Sequence, residues 1–306
     1  MGDRLLPDRP LPAVVVNPSH VDDQARLHAQ ITRVCAELGW ASPLWFQTTV
    51  EDPGEGQAAA ALAAGADVVL VCGGDGTTRH VAQVLAGSGT ALGLLPLGTG
   101  NLLARNLAIA PDSPAEATRT ALSGDTRAVD VGRVVIDERT AEQVFLVMAG
   151  MGFDAAIMAG APPRLKARLG SLAYFVSGAR ALKGPRVQIT LAVDGPPELC
   201  RRVRTVVVGN CGRLRGGLVL LPAAKVDDGL LDVVTIGPRR IIGWLAVAAR
   251  VLTRRRRGHR IVQHWQGRTV IVIAEPAQQA QLDGDPVGKA RVLRIRIDRG
   301  ALLVRC

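Results

Sequence analysis

"VVLVCGGDGTTRHVAQVL", residues 68–85, decides how this chain folds. Five β-favouring residues (68–72) run into Gly73-Gly74-Asp75-Gly76-Thr77 and then into a helical pattern. Glycines without a Cβ let backbone N–H groups approach an anion closely, and the amino end of the following helix adds free N–H groups and a positive dipole. Asp75 would repel a bare phosphate, but it can organise a hard cation and its waters. The loop therefore suits a metal–triphosphate better than a dinucleotide. An ordinary β-to-α turn, where Gly and Asp are common, is the alternative.

Outward from this loop the first part of the chain alternates strands and helices. "LPAVVVNPS" (11–19), "PLWFQTT" (43–49), "ADVVLVC" (66–72) and "ALGLLPLG" (91–98) read as strands. Between them, 22–40, 56–65 and 77–87 carry helical spacing, and "PDSPAEATRTALSG" (111–124) is a capped helix. Apolar strands separated by helices predict a doubly wound parallel sheet covered on both faces. In such sheets ligands bind at the carboxyl ends of strands. "NPSH" (17–20), "CGGDGT" (72–77) and "LPLGTGN" (95–101) all follow strands and are expected at one edge. The last offers Gly98, Thr99, Gly100 and Asn101. Neither glycine loop has the GxxxxGK[ST] or the GxGxxG pattern.

Composition sets the surroundings. With 306 residues and 48% hydrophobic content the chain can bury a large core, and two domains are expected. The formal charge of +10 favours phosphate-bearing partners, and only four of the 37 basic residues are lysines. The five cysteines are odd in number and lack CxxC spacing, so they read as reduced thiols with no His/Cys metal site. "MGDRLLPDRP" has no signal-peptide core. The apolar run 241–252 contains Arg250 and falls short of the roughly 20 residues of a spanning helix. A cytosolic protein is expected. Nine aromatics (four Trp, one Tyr, four Phe) and no recognised binding motif argue against nucleic acid.

After about residue 130 the pattern becomes β-rich, with strand-like stretches at 127–136, 142–150, 186–195, 204–210, 229–237, 268–274, 279–284 and 292–298. Two helical segments, 164–182 and 239–253, interrupt them. The expected division is 1–130, an α/β nucleotide-binding domain, and 131–306, a β-sandwich-like domain whose last residues can pack back on the first.

"NPSH", "GGDGT", "LPLGTGNLLARNL", "AGMGFDA", "LPAAKVDDGLLDV" and "LDGD" occur in the order found in the diacylglycerol kinase catalytic-domain family, which the chain resembles from about residue 12 to 304. That family includes bacterial diacylglycerol kinases, related lipid kinases and sphingosine kinases. GGDGT alone also resembles NAD kinases, but no segment like their "PTGSTAY" is present.

The resemblance implies ATP and Mg²⁺ as cofactors, with the active site in the cleft between two domains. It matches Asn17-Pro18-Ser19 to the family's first nucleotide loop, although Val21 stands where glycine is usual. A nucleotide-contacting threonine is implied at Thr48 or Thr49. The phosphate loop maps to Gly73, Gly74, Asp75, Gly76 and Thr77, and the third loop to Gly98, Thr99 and Asn101. Many members carry Asp in the third loop where this chain has Leu102, leaving Asp75, with Asp130 as a further candidate, for the metal shell. A second, structural metal is implied at the Lys225 carbonyl, the Asp228 carboxylate and the Leu230 carbonyl, a hard-oxygen set that suits Mg²⁺. An ion-free DDG turn is the alternative. Where the family has DGE, with Glu as the base, this chain has Asp283-Gly284-Asp285. Asp285 is then the catalytic base, one methylene shorter, and Asp283 its support or a magnesium contact. A plain hairpin turn is the alternative.

The implied reaction is transfer of the γ-phosphate of ATP to a membrane-lipid hydroxyl, diacylglycerol foremost. Segment 239–260, apolar and then "RRRRGHR" (254–260), suits peripheral attachment to an anionic membrane surface; a core helix with a basic end is the alternative. A catalytically weak lipid or nucleotide sensor, and an NAD-kinase-like enzyme, are competing readings. Assembly is open, a homodimer included.

Overall fold

A computed structural model describes residues 9–152, 186–214, 219–238 and 262–306. The helical segments expected at 164–182 and 239–253, and the membrane-facing segment 239–260, lie outside the described residues. The chain divides into two compact units, one of residues 1–129 with 301–306 and one of residues 130–300.

In the first unit β1 (Pro12–Val16), β2 (Leu44–Gln47), β3 (Val68–Gly73) and β4 (Ala91–Pro96) are parallel in the order β2-β1-β3-β4. Beyond β4 the chain's last residues add a further parallel pairing, Val304 opposite Leu92. Every residue of β1 and β3 is buried, as a sheet covered on both faces requires. Val14, Val16, Val68, Leu70 and Cys72 share one core cluster with α1 (Gln24–Glu37) and α5 (Pro114–Ser123), through Ile31, Val34 and Ala121. Strand alternation turns Ala13, Val15, Val69 and Val71 to the opposite face. There α2 (Glu55–Ala63) and α3 (Asp75–Leu85) pack on each other and on the strands. Asp23 caps α1 by accepting from the N–H of Arg26 at 2.9 Å, and Ser113 caps α5 through Glu116 at 3.2 Å.

Among its described residues the second unit is built of antiparallel strands. Its path runs β12 (Val262–Gly267), β11 (Leu231–Ile236), β10 (Thr205–Gly209), β7 (Met148–Met151), β13 (Thr269–Leu282) and β14 (Asp285–Arg305). β8 (Val187–Val193) joins β13 to β9 (Leu199–Val203), and β5 (Thr126–Ile136) pairs with β14 and with β6 (Gln143–Phe145). Along β13, residues 270–275 pair with β8, and 280–282 pair with β7 after a register shift between Ile273 and Gln278. Such irregularities let one long strand serve two layers. The core beneath includes Phe145, Leu191, Val233, Val272 and Leu293.

Candidate active site

In the first unit the chain leaves β1 for β2 on one side and returns to β3 on the other, so the topological switch lies between β1 and β3. Open α/β sheets bind ligands beyond the carboxyl ends of strands at that point. Asn17, just past β1, donates its backbone N–H to the Cys72 carbonyl at 2.9 Å, and its Nδ2 donates to Thr77 Oγ1 at 3.1 Å. Its Oδ1 accepts from the N–H and the hydroxyl of Ser19, at 3.0 and 2.7 Å, capping the short 3₁₀ turn Pro18–His20. The first and second loops are thereby locked together.

The second and third loops touch directly. Gly98 donates its N–H to the Gly73 carbonyl at 3.1 Å, and a Cβ on Gly98 would overlap Gly74 Cα. Closeness therefore requires glycine at position 98; at Gly74 the backbone is extended, and an added Cβ would lie 3.7 Å from Gly98 Cα, an ordinary contact. Asn101 adopts the left-handed conformation at φ 49°. Its Nδ2 donates to the carbonyls of Pro96 and Gly98, at 2.9 and 2.6 Å, holding the third loop closed. Thr99 lies exposed on that loop.

Asp75 is the first residue of α3 and is partly buried. Its Oδ1 accepts the N–H of Leu102 at 2.5 Å, at the start of the five-residue helix α4 (Leu102–Asn106). The side chain of Leu102 is only 5% exposed. Thus the position where the family resemblance leads one to look for Asp contributes a buried apolar side chain here, and its backbone binds Asp75. Thr48 is buried and donates its N–H to Val16 at 2.9 Å, which places it beside the end of β1. Thr49 is exposed, and its hydroxyl accepts the N–H of Asp52 at 3.1 Å within its own turn. Burial pushes the thiol of Cys72 well above its ordinary range and that of Cys35 up to about 11, so neither supplies a thiolate at neutral pH.

In the second unit "LDGD" is a two-residue hairpin. Leu282 pairs with Asp285, while Asp283 and Gly284 have φ of 50° and 97°, as a type I′ turn requires. Asp283 is 5% exposed and anchors the turn: its carboxylate accepts from the N–H groups of Leu146, Val147 and Met148 at 2.8, 2.8 and 2.9 Å. Its own N–H donates to the Met148 carbonyl at 2.8 Å. Asp285 follows as the partly buried first residue of β14.

Asp130, expected in the metal shell, has another engagement. It is 1% exposed, and its two oxygens accept from the N–H groups of Gly229 and Gly300, at 2.6 and 2.7 Å. The buried charge is answered by backbone donors, and it holds the DDG turn in place. In that turn Asp228 Oδ1 accepts from Leu230 N–H at 3.1 Å. Burial raises the Asp228 pKa against that bond, with Asp130 and Asp227 adding to the rise and Lys225 opposing it. A carboxylate crowded by two others beside one lysine suits a divalent cation. No cluster of three or more His, Cys, Asp or Glu able to hold a metal occurs among the described residues, so a cation here would depend on the carbonyls of Lys225 and Leu230. Asn210 was missed by the sequence reading. It is 1% exposed and donates to the carbonyls of Asp130 and Leu146, at 2.7 and 3.1 Å, bracing the segment that holds Asp283.

Three loops, two of them glycine-lined, are tied together at the β1/β3 switch, the edge where an open α/β sheet takes its ligand. Comparisons with known proteins carry the assignment further. The diacylglycerol kinase catalytic domain matches residues 12–134, and the YegS C-terminal NAD kinase beta sandwich-like domain matches 147–306. A Pseudomonas aeruginosa protein named "Probable lipid kinase YegS-like" is 35% identical over 253 residues, 80% of this chain and 78% of that one. A diacylglycerol kinase of Mycobacterium tuberculosis is 35% identical over 176 residues, 57% of this chain and 56% of that protein's length. The crystal structure of a diacylglycerol kinase from Bacillus anthracis shares the fold, with TM-score 0.74 and 23% identity over 97% of this chain and 96% of that one. An NAD kinase from Archaeoglobus fulgidus, solved in complex with ATP, is a more distant likeness, with TM-score 0.53 and 16% identity over 96% and 93% of the two chains. This chain belongs to the diacylglycerol kinase catalytic-domain family, with a YegS-type C-terminal domain.

Proposed function

We propose that this chain is an ATP-dependent lipid kinase that phosphorylates the hydroxyl of a membrane lipid, with diacylglycerol as the leading acceptor and phosphatidic acid as the product. The observation that carries the donor half is the direct contact of the Gly74 and Gly98 loops, braced by Asn17, Thr77 and Asn101. The acceptor half rests on the family and on the names of its relatives.

The amino end of α3 and the loop amides hold the phosphates of ATP, fixing their orientation for in-line attack. Asp75, with its hydration shell, is the residue that would hold Mg²⁺, which when bound neutralises phosphate charge. Asp285 accepts the proton of the attacking hydroxyl as the new O–P bond forms and ADP leaves. Asp283 keeps the hairpin that carries Asp285 pinned to residues 146–148. The carbonyls of Lys225 and Leu230 and the Asp228 carboxylate would hold a second, structural cation. Segment 239–260 supplies attachment to an anionic bilayer, the apolar part entering the interface and the arginines meeting lipid headgroups.

The test is label transfer from γ-labelled ATP with Mg²⁺ to a panel of diacylglycerol, ceramide, sphingoid base and monoacylglycerol in anionic vesicles, with NAD in a parallel solution arm. The proposal expects label in a lipid, diacylglycerol foremost. Label in NAD alone, or ATP binding with no transfer to any acceptor, would contradict it, the latter favouring the sensor reading.

A further inference from the structure

The three loops carry little positive charge of their own, and Arg105 of α4 lies against the third, its Nε donating to the Gly100 carbonyl at 2.7 Å. The chain's four lysines are at 166, 183, 225 and 289, none of them in the first unit. Residues 17–20, 73–77 and 97–101 contain no arginine either, so His20 is the one side chain in them able to carry a positive charge. Triphosphate sites ordinarily set a lysine or arginine beside the loop amides.

His20 ends the 3₁₀ turn that Asn17 caps, and it is exposed. Its ring lies over the phosphate loop: a Cβ on Gly74 would be 3.2 Å from His20 Nε2 and 3.7 Å from Cε1. Gly74 is the N-cap of α3 and has no side chain to cap it, so the imidazole stands where the first free N–H groups of that helix open. Among the described residues no hydrogen bond engages either ring nitrogen. Asp75, the only acid in these loops, is bonded instead to Leu102 N–H.

We propose that His20 Nε2 donates a hydrogen bond to the phosphate chain of the nucleotide, adding a side-chain donor to the amides of the phosphate loop. The inference rests on the reading of these loops as an ATP site, and it adds a residue whose chemistry distinguishes phosphate from nucleoside. One charge-assisted bond at an exposed position changes affinity about three- to tenfold.

The experiment measures displacement of a fluorescent ATP analogue, with Mg²⁺ present, by ATP and by adenosine. Wild type, His20→Ala and His20→Lys are compared in the full chain. His20→Ala is expected to weaken ATP about three- to tenfold while leaving adenosine and thermal stability unchanged, and His20→Lys to retain the preference for ATP. An unchanged ATP-to-adenosine ratio in His20→Ala would overturn the role of His20 and leave the ATP site standing. A wild type that does not prefer ATP to adenosine would overturn the nucleotide reading, and this inference with it.

Discussion

Replacing Asp283 by Asn preserves the shape of the hairpin and removes the charge that holds it. The carboxylate is 5% exposed and receives three backbone N–H groups at 2.8, 2.8 and 2.9 Å. Hydrogen bonds to a charged group contribute about 1.5–3 kcal/mol each, and a buried donor left unpaired costs about 1–3 kcal/mol. Asn keeps one acceptor oxygen and turns an NH₂ toward the donors that the other oxygen served. At least one bond is lost and the survivors lose their charge, so the net cost is about 4 kcal/mol. Since about 1.4 kcal/mol is tenfold in an equilibrium constant, the amides of residues 146–148 should exchange with solvent deuterium up to about a thousandfold faster. Mass spectrometry of a peptide spanning 143–151 reads this, with β3 of the first unit as the internal reference. Protection within about threefold of wild type would refute the assignment of Asp283 as the hairpin's anchor.

Gly98→Ala places a Cβ on Gly74 Cα, so ATP binding should fall at least about tenfold, measured by calorimetry, while the circular dichroism spectrum stays native. Asp228→Asn should abolish a Mg²⁺-dependent rise in Tm, read by scanning calorimetry with and without chelator, because it removes the only carboxylate of the implied cation set. Asp194 tests pH linkage. Its slight burial raises its pKa, but the N–H groups of Thr269 and Arg268, the Thr269 hydroxyl and the Arg268 charge outweigh this, and the net shift is downward. A depressed folded-state pKa stabilises above the ordinary carboxylate range and loses that contribution as pH falls through the folded value. Asp194→Asn should therefore cost about 1 kcal/mol at pH 7, discounted for exposure, and the gap in urea midpoint should close in acid.

The loops were legible because their signals are local: strand, glycines and helix follow one another within 68–85. α3 begins at Asp75, two residues before the expected 77, since Gly74 serves as N-cap and an acid is favoured in the first turn. β9 and β12 escaped the reading. "LCRRV" and "VQHWQG" are rich in polar residues, and they become strands through long-range pairing with β8 and β11. The five-residue α4 is too short to show a helical period. Asp283 and Asp130 were visible as residues, but their partners lie 135–137 and 99–170 positions away, where no sequence spacing can reveal them.

The central claim is that the first unit binds ATP and Asp285 activates the lipid hydroxyl. Its most direct test is single-turnover phosphate transfer by Asp285→Ala, with ATP binding measured on the same sample. The expected result is ATP affinity equal to wild type and label transfer to lipid slowed at least about a hundredfold. Transfer at the wild-type rate would remove Asp285 as the base, and loss of ATP binding in that variant would show that its role lies in holding the nucleotide.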